Sequence, residues 1–175
     1  PGRKALFWIL LCTMMVPYQV VQVPLYILVV NILKMSDSYR ALILPGLAGI
    51  YNIFLMKQFL ASLPYELIEA AKIDGCSHGR IFFQIVVPLS KTVLAVIAIF
   101  TFMDNWNTFF WPLLVTKSIS METIQVGLTN FRFANTTYFS PMMAGATIAA
   151  LPMFILFFSL QKYFLQGVTV GAIKG

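Results

Sequence analysis

Charge is scarce in this chain: its 175 residues hold six Asp and Glu, twelve Lys and Arg and one His, so that 10 % of the sequence is charged. Each shortage excludes a class of chemistry. His78 stands alone in a polar segment, with no second His or Cys cluster to complete a metal site. The two cysteines lie apart, Cys12 in an apolar run and Cys76 in the polar segment, and make neither a disulfide framework nor a metal site. Glu66 and Glu69 are near neighbours on one helix but lack a nucleophile or partner base, so no general acid–base pair is read there. No Gly-rich phosphate loop ending in Lys and Ser or Thr occurs, so ATP-driven work by this chain needs an ATPase on another chain. The net charge of +6 comes from basic residues scattered singly, the pattern of charges flanking membrane spans rather than of a nucleic-acid surface.

Apolar sequence is what the chain has in excess. Hydrophobic residues make up 59 %, with sixteen Phe and seven Tyr, and the mean hydropathy is +0.84. A soluble domain of this size has too little polar surface to cover such a composition, so the chain is expected in a membrane. It begins Pro1-Gly2-Arg3-Lys4 and enters apolar sequence at once, without the small-residue cleavage site of a signal peptide. We expect a fragment whose N-terminal part is missing.

Four apolar stretches are long enough to cross roughly 30 Å of hydrocarbon as helices. The first, about Ala5 to Leu33, contains Pro17 and Pro24, and predicts a span to about Val23 with a bent outer continuation. The second is about Ala41 to Leu60, and the third about Ile85 to Val115, interrupted by Asp104-Asn105-Trp106-Asn107. The fourth is about Pro141 to Leu165, with Pro152 inside. Alternating spans put Arg3, Lys4, Lys57, Lys72, Arg80, Lys91, Lys162 and Lys174 on or near one side. Lys34, Arg40, Lys117 and Arg132 fall on the other. That bias places the 61–84 loop and both ends of the chain in the cytoplasm, with 116–140 as an outer loop.

The polar loop at 62–88 has the punctuation of two short helices. Ser62 is a cap and Pro64 suits the first turn, where a missing N–H costs nothing. Glu66 and Glu69 favour the positive end of the helix dipole, and Gly75 supplies a left-handed stop. Ser77 caps a second helix through Arg80, Phe83 and Val86, and Pro88 marks the passage into the next span. Leu67, Ala70, Ala71 and Asp74 share a shallow face of the first helix, which suits docking by another surface. A helix lying on lipid is disfavoured, because such helices carry basic polar faces and bulky apolar ones.

At this point the residues resemble a known family. Glu69-Ala70-Ala71, then Gly75, then Ile85 and Pro88 are similar to the signature loop of ABC-importer permeases. The stretch Leu63–Gly75 resembles the carbohydrate-importing branch. So do Trp106-Asn107, Phe110-Trp111-Pro112-Leu113 and the C-terminal Gly167–Gly175. Met14-Met15-Val16-Pro17 and Leu42-Ile43-Leu44-Pro45-Gly46 match its earlier spans. Val87 replaces the usual Leu and Thr92 a frequent Pro, which leave the family intact and the sugar open. The resemblance implies an all-α polytopic transmembrane helical bundle of the ABC type I importer class. About four of the six family spans would fall in this chain, in one permease domain over 1–175 that holds a cytoplasmic coupling loop at 62–88. It further implies ABC ATPase subunits carrying ATP and Mg, a second homologous permease and an extracytoplasmic solute-binding protein. The substrate would be a sugar or oligosaccharide, or a related polyol or glycerol phosphate, and the place a bacterial or archaeal inner membrane. Glu66, Glu69, Ala70, Ala71, Asp74, Gly75 and Pro88 are the expected coupling residues.

Two further groups carry alternatives. Asp104 is the sole acidic residue inside an apolar stretch. With Asn105, Trp106 and Asn107 it forms either part of a sugar pathway or a solvated helix end with Trp anchors. Gly145 and Ala149 lie on a small-residue face that pairs either with the second permease or with another helix of this chain. The 118–138 segment reads from its own residues as a polar, aromatic, exposed loop, and the resemblance implies contact with a binding protein there. Two rival classes explain less. A membrane-embedded enzyme lacks convergent catalytic groups, and a channel or secondary transporter leaves the Glu-Ala-Ala loop without a role.

Overall fold

The computed structural model describes residues 2–132 and 138–172, with side chains to 161. Every regular segment among these residues is helical. The chain divides into two compact units, Pro1–Ile50 with Phe102–Ile155 and Tyr51–Thr101 with Leu156–Gly175.

In the first unit, α1 (Arg3–Thr13) and α2 (Tyr18–Tyr26) enclose a bend of 93°, α2 continuing in wider π register over Ile27–Ile32. The break falls at Met14–Pro17, not near Val23. Pro17 sits at φ −58° and ψ 131°, outside the helical region, and has no N–H to continue the ladder. Pro24, where the sequence predicted the change of direction, is accommodated inside α2. The core forms farther along, where α3 (Tyr39–Ile43) and α9 (Phe110–Val115) meet the π segment. Val29, Ala41, Trp111 and Val115 are buried together there, flanked by Leu25, Tyr26 and Met35. The Trp111 indole N–H donates to the Ala41 carbonyl at 2.9 Å, so the buried ring carries no orphaned donor.

Asp37 ties this core to the following segment. It adopts a left-handed φ of 56°, as Asp does more readily than most residues. Its N–H donates to the Val115 carbonyl at 2.8 Å. Its Oδ1 accepts the Lys117 and Ser118 N–H groups at 2.8 and 3.0 Å. Those backbone hydrogen bonds, chiefly from Ser118 and then Lys117, hold the carboxyl below its ordinary value. The unit also contains α10 (Ile124–Gly127) and the start of α11 (Phe139–Ala172).

The second unit carries α4 (Ile50–Ala61) and most of α8 (Lys91–Asn107), which meet inside it. Asn52 donates to the Thr101 hydroxyl at 2.9 Å, and Tyr51 meets Phe100 edge-on with ring centres 6.4 Å apart. A polar bond of this kind binds apolar helices where the bilayer offers no competing water.

Helix α11 is long and apolar enough to cross a membrane, with mean hydropathy 2.0 over Phe139–Gln161 and 6 % of that window buried. Counting each bent pair as one span raises the number to four. Pro152 does not interrupt α11, since one missing N–H in a long helix leaves the remaining ladder intact. The third stretch differs from expectation at both ends. It turns through 72° at Ser90, and Asp104–Asn107 belong to α8, with the interruption following at Thr108 and Phe109. Residues 133–137 of the segment expected to form an outer loop, and 173–175 of the C-terminal motif, lie outside the described residues.

Candidate functional site

The polar loop is built by local rules. Helix α5 (Tyr65–Ile73) starts after Pro64, whose φ of −58° and ψ of 119° set the entry. Ser62 does not cap it; its hydroxyl donates back to the Phe59 carbonyl at 2.7 Å, closing α4 instead. Glu66 falls in the first turn and Lys72 in the last, both complementing the dipole. At the far end Gly75 takes φ 75°. Its N–H donates to Lys72 O and the Cys76 N–H to Ala71 O, each at 3.0 Å. These two bonds with a left-handed residue form a Schellman cap, which explains why glycine stands at 75. Ser77 then caps α6 (His78–Ile81), its hydroxyl accepting the Arg80 N–H at 3.3 Å. The chain widens to π register over Phe82–Val86 and passes through α7 (Val87–Leu89), with Pro88 in its first turn, into α8.

The expected shallow face divides in two. Ala71 is buried, whereas Leu67, Ala70 and Asp74 are exposed together with Glu66 and Glu69. Ile73 beyond them is 86 % exposed, and Phe82 and Phe83 are also uncovered. The loop thus presents acids and apolar side chains side by side on a firmly capped helix.

The quartet at 104–107 is spread around α8, because successive helical residues point about 100° apart. Trp106 turns inward, donating to the Ala149 carbonyl at 2.9 Å and stacking on Phe102 with centres 5.3 Å apart. Asp104 and Asn107 are exposed, and the Asn107 amide donates to the Met103 carbonyl. Asn105 Oδ1 lies 3.5 Å from where a Cβ on Gly46 would stand. Asn107 also lines an open concavity of about 280 Å³ with Gln125, Leu128, Ala149 and Phe154. Ala149 is 7 % exposed, and a Cβ on Gly145 would come within 2.7 Å of Leu128. Both small residues are therefore engaged by neighbours within this chain. The Asp37 clamp and the corner at Ser90 carry no sequence signal beyond a Ser-Asp-Ser turn and a nearby proline.

Apolar helices that make up to four membrane spans, when each bent pair counts as one, define the class as a helical membrane component. The chain belongs to the family of binding-protein-dependent transport system inner membrane components, whose model matches residues 1–170. It is 37 % identical over 174 residues to the arabinooligosaccharides transport system permease protein AraQ of Bacillus subtilis, covering 99 % of this chain and 62 % of the relative. It is 38 % identical over 170 residues to the sn-glycerol-3-phosphate transport system permease protein UgpE of Salmonella typhimurium, covering 96 % and 60 %. A crystal structure of a bacterial ABC transporter involved in import of the acidic polysaccharide alginate superposes with a TM-score of 0.77 at 25 % identity, over 93 % of this chain and 62 % of the matched one. The chain spans less than two thirds of the length of these relatives.

Proposed function

We propose that this chain works within the permease subunit of an ATP-driven importer of sugars or oligosaccharides, in a bacterial or archaeal inner membrane. The observation that carries the reading is the 62–88 loop, a Schellman-capped helix whose acidic and apolar side chains face outward. A cytoplasmic ATPase dimer, which binds ATP and Mg itself, docks on this loop through Glu66, Glu69, Ala70 and Asp74. Ala71, Gly75 and Pro88 hold its shape. Closure of the dimer moves the loop, and the broken spans shift between inward- and outward-facing states. A second homologous permease completes the path, and an extracytoplasmic binding protein delivers the solute. The similarity to an arabino-oligosaccharide permease and to a transporter of an acidic polysaccharide supports the sugar class.

A second reading, glycerol phosphate or a polyol, rests on the similarity to UgpE. One experiment separates the two. The full-length complex is reconstituted with its ATPase and offered labelled arabino-oligosaccharides, monosaccharides, glycerol and glycerol 3-phosphate. ATP-dependent uptake of a sugar, abolished by Gly75→Pro and by Glu69→Lys while the permease still inserts, is the expected result. Uptake of glycerol phosphate alone favours the second reading. Uptake indifferent to ATP and to the loop removes both.

A further inference from the structure

The passage from the coupling loop into α8 is one residue long. Helix α7 ends at Leu89, α8 begins at Lys91, and the axis of His78–Leu89 turns 72° into that of Lys91–Asn107. Corners of this angle commonly use several loop residues, which absorb displacement by rotating their own backbone dihedrals. Here Ser90 is the one residue between the two helices. Its N–H is shared between the Val86 and Val87 carbonyls at 3.0 and 3.1 Å, and its carbonyl accepts the Leu94 N–H at 2.9 Å. Its hydroxyl donates to the Val86 carbonyl at 2.7 Å. The residue is 2 % exposed, so water does not compete for these bonds.

The helix entering the corner needs such a lock. Pro88 has no N–H to give, and the preceding Phe82–Val86 segment runs in π register, where the ladder is looser. The second bond to Val86 O returns a fixed point just after this weakness. We propose that Ser90 is a positioning residue which locks the corner between the 62–88 loop and α8, so that displacement of the loop reaches the span as a rigid rotation. The proposal rests on the coupling reading above. It assigns the transmission to one hydroxyl rather than to the docking surface.

The hydroxyl can be removed without orphaning its acceptor, because the Ser90 N–H still reaches Val86 O. In Ser90→Ala the corner retains its fold and loses one constraint. The test uses the full-length complex in proteoliposomes with its ATPase and the panel solute that the parent complex carries, and reads ATP hydrolysed per solute imported. Ser90→Ala is expected to hydrolyse ATP at the parent rate and import about fivefold less solute per ATP, the factor that one hydrogen bond of ordinary strength is worth in an equilibrium. Ser90→Thr, which keeps the hydroxyl, is expected to restore the ratio. An unchanged ratio in Ser90→Ala overturns the proposal, as does a Thr variant that behaves like Ala. Loss of assembled complex in both Ser90→Ala and the near-isosteric Ser90→Cys also overturns it, placing the residue in folding alone. Parent uptake that needs no ATP, or that Gly75→Pro leaves untouched, removes the coupling reading itself, and the parent controls reveal this before any Ser90 variant is measured.

Discussion

The cluster of Val29, Ala41, Trp111 and Val115 and the loop from Ser62 to Pro88 are both built from short helices, yet they finish their surfaces differently. In the cluster the chain covers its own apolar side chains and pairs its own polar groups, down to the Trp111 indole and the Asp37 carboxylate. In the loop the backbone is equally well closed, by the Gly75 and Ser77 caps, while Leu67, Ile73 and Phe83 remain uncovered. An uncovered apolar surface on a well-capped backbone suits the docking role proposed above, because preorganisation lowers the cost of binding. The cluster is finished the opposite way: its side chains serve internal stability.

The largest expected effect lies in the cluster. Trp111→Ala removes a buried ring and the donor to the Ala41 carbonyl, and should destabilise the protein by about 3–5 kcal/mol. The fall appears as a lower unfolding midpoint in detergent, with uptake lost in proportion to the folded fraction. A midpoint equal to the parent's would place the ring outside any core. The next effect belongs to the loop. Gly75→Pro breaks the left-handed cap and the bond to Lys72 O, costing about 2 kcal/mol locally. Insertion should survive while ATP-driven uptake disappears, the reverse of the Trp111 pattern.

Smaller effects sharpen the contrast. Glu69→Lys changes no buried contact, so its unfolding midpoint should match the parent's while affinity for the ATPase drops, as read by co-purification across a salt series. Equal recovery at every salt concentration would move the docking surface off the acidic face. A cysteine placed at Ile73, 86 % exposed here, should react freely with a maleimide in the isolated permease and slowly once the ATPase is bound. Protection that is the same in both states would break the comparison outright.

The smallest effect concerns pH. Asp37 has its carboxyl lowered below the ordinary value by the Ser118 and Lys117 N–H groups, so it binds fewer protons folded than unfolded. Its contribution is therefore complete above the unfolded value and fades as pH falls through the lower, folded one. Asp37→Asn should narrow the gap in unfolding midpoint to the parent steadily as the medium is acidified through the carboxylate range. A constant gap would show that geometry rather than charge holds the clamp.

Local chemistry made much of this molecule legible from the residue order. Apolar runs announce membrane helices, and the Gly75 stop and the Ser77 cap act over four residues or fewer, so the pattern Glu69-Ala70-Ala71…Gly75 could be read as a capped loop. Pro17 was visible as a helix breaker, but Pro24 and Pro152 looked the same and break nothing. Whether a proline bends a span depends on which neighbours take up the freed carbonyls, and those neighbours are distant in the chain. The same holds for Asp104–Asn107, which read as an interruption and proved to be the last turn of α8. The bonds that organise the first unit join positions 70 apart for Trp111 and Ala41, 80 for Lys117 and Asp37, and 43 for Trp106 and Ala149. No periodicity encodes such pairs, since each depends on where two helices come to rest. Ser90 is the nearest case: its bond spans four residues, yet the one-residue corner it closes exists only because two helix axes diverge there by 72°.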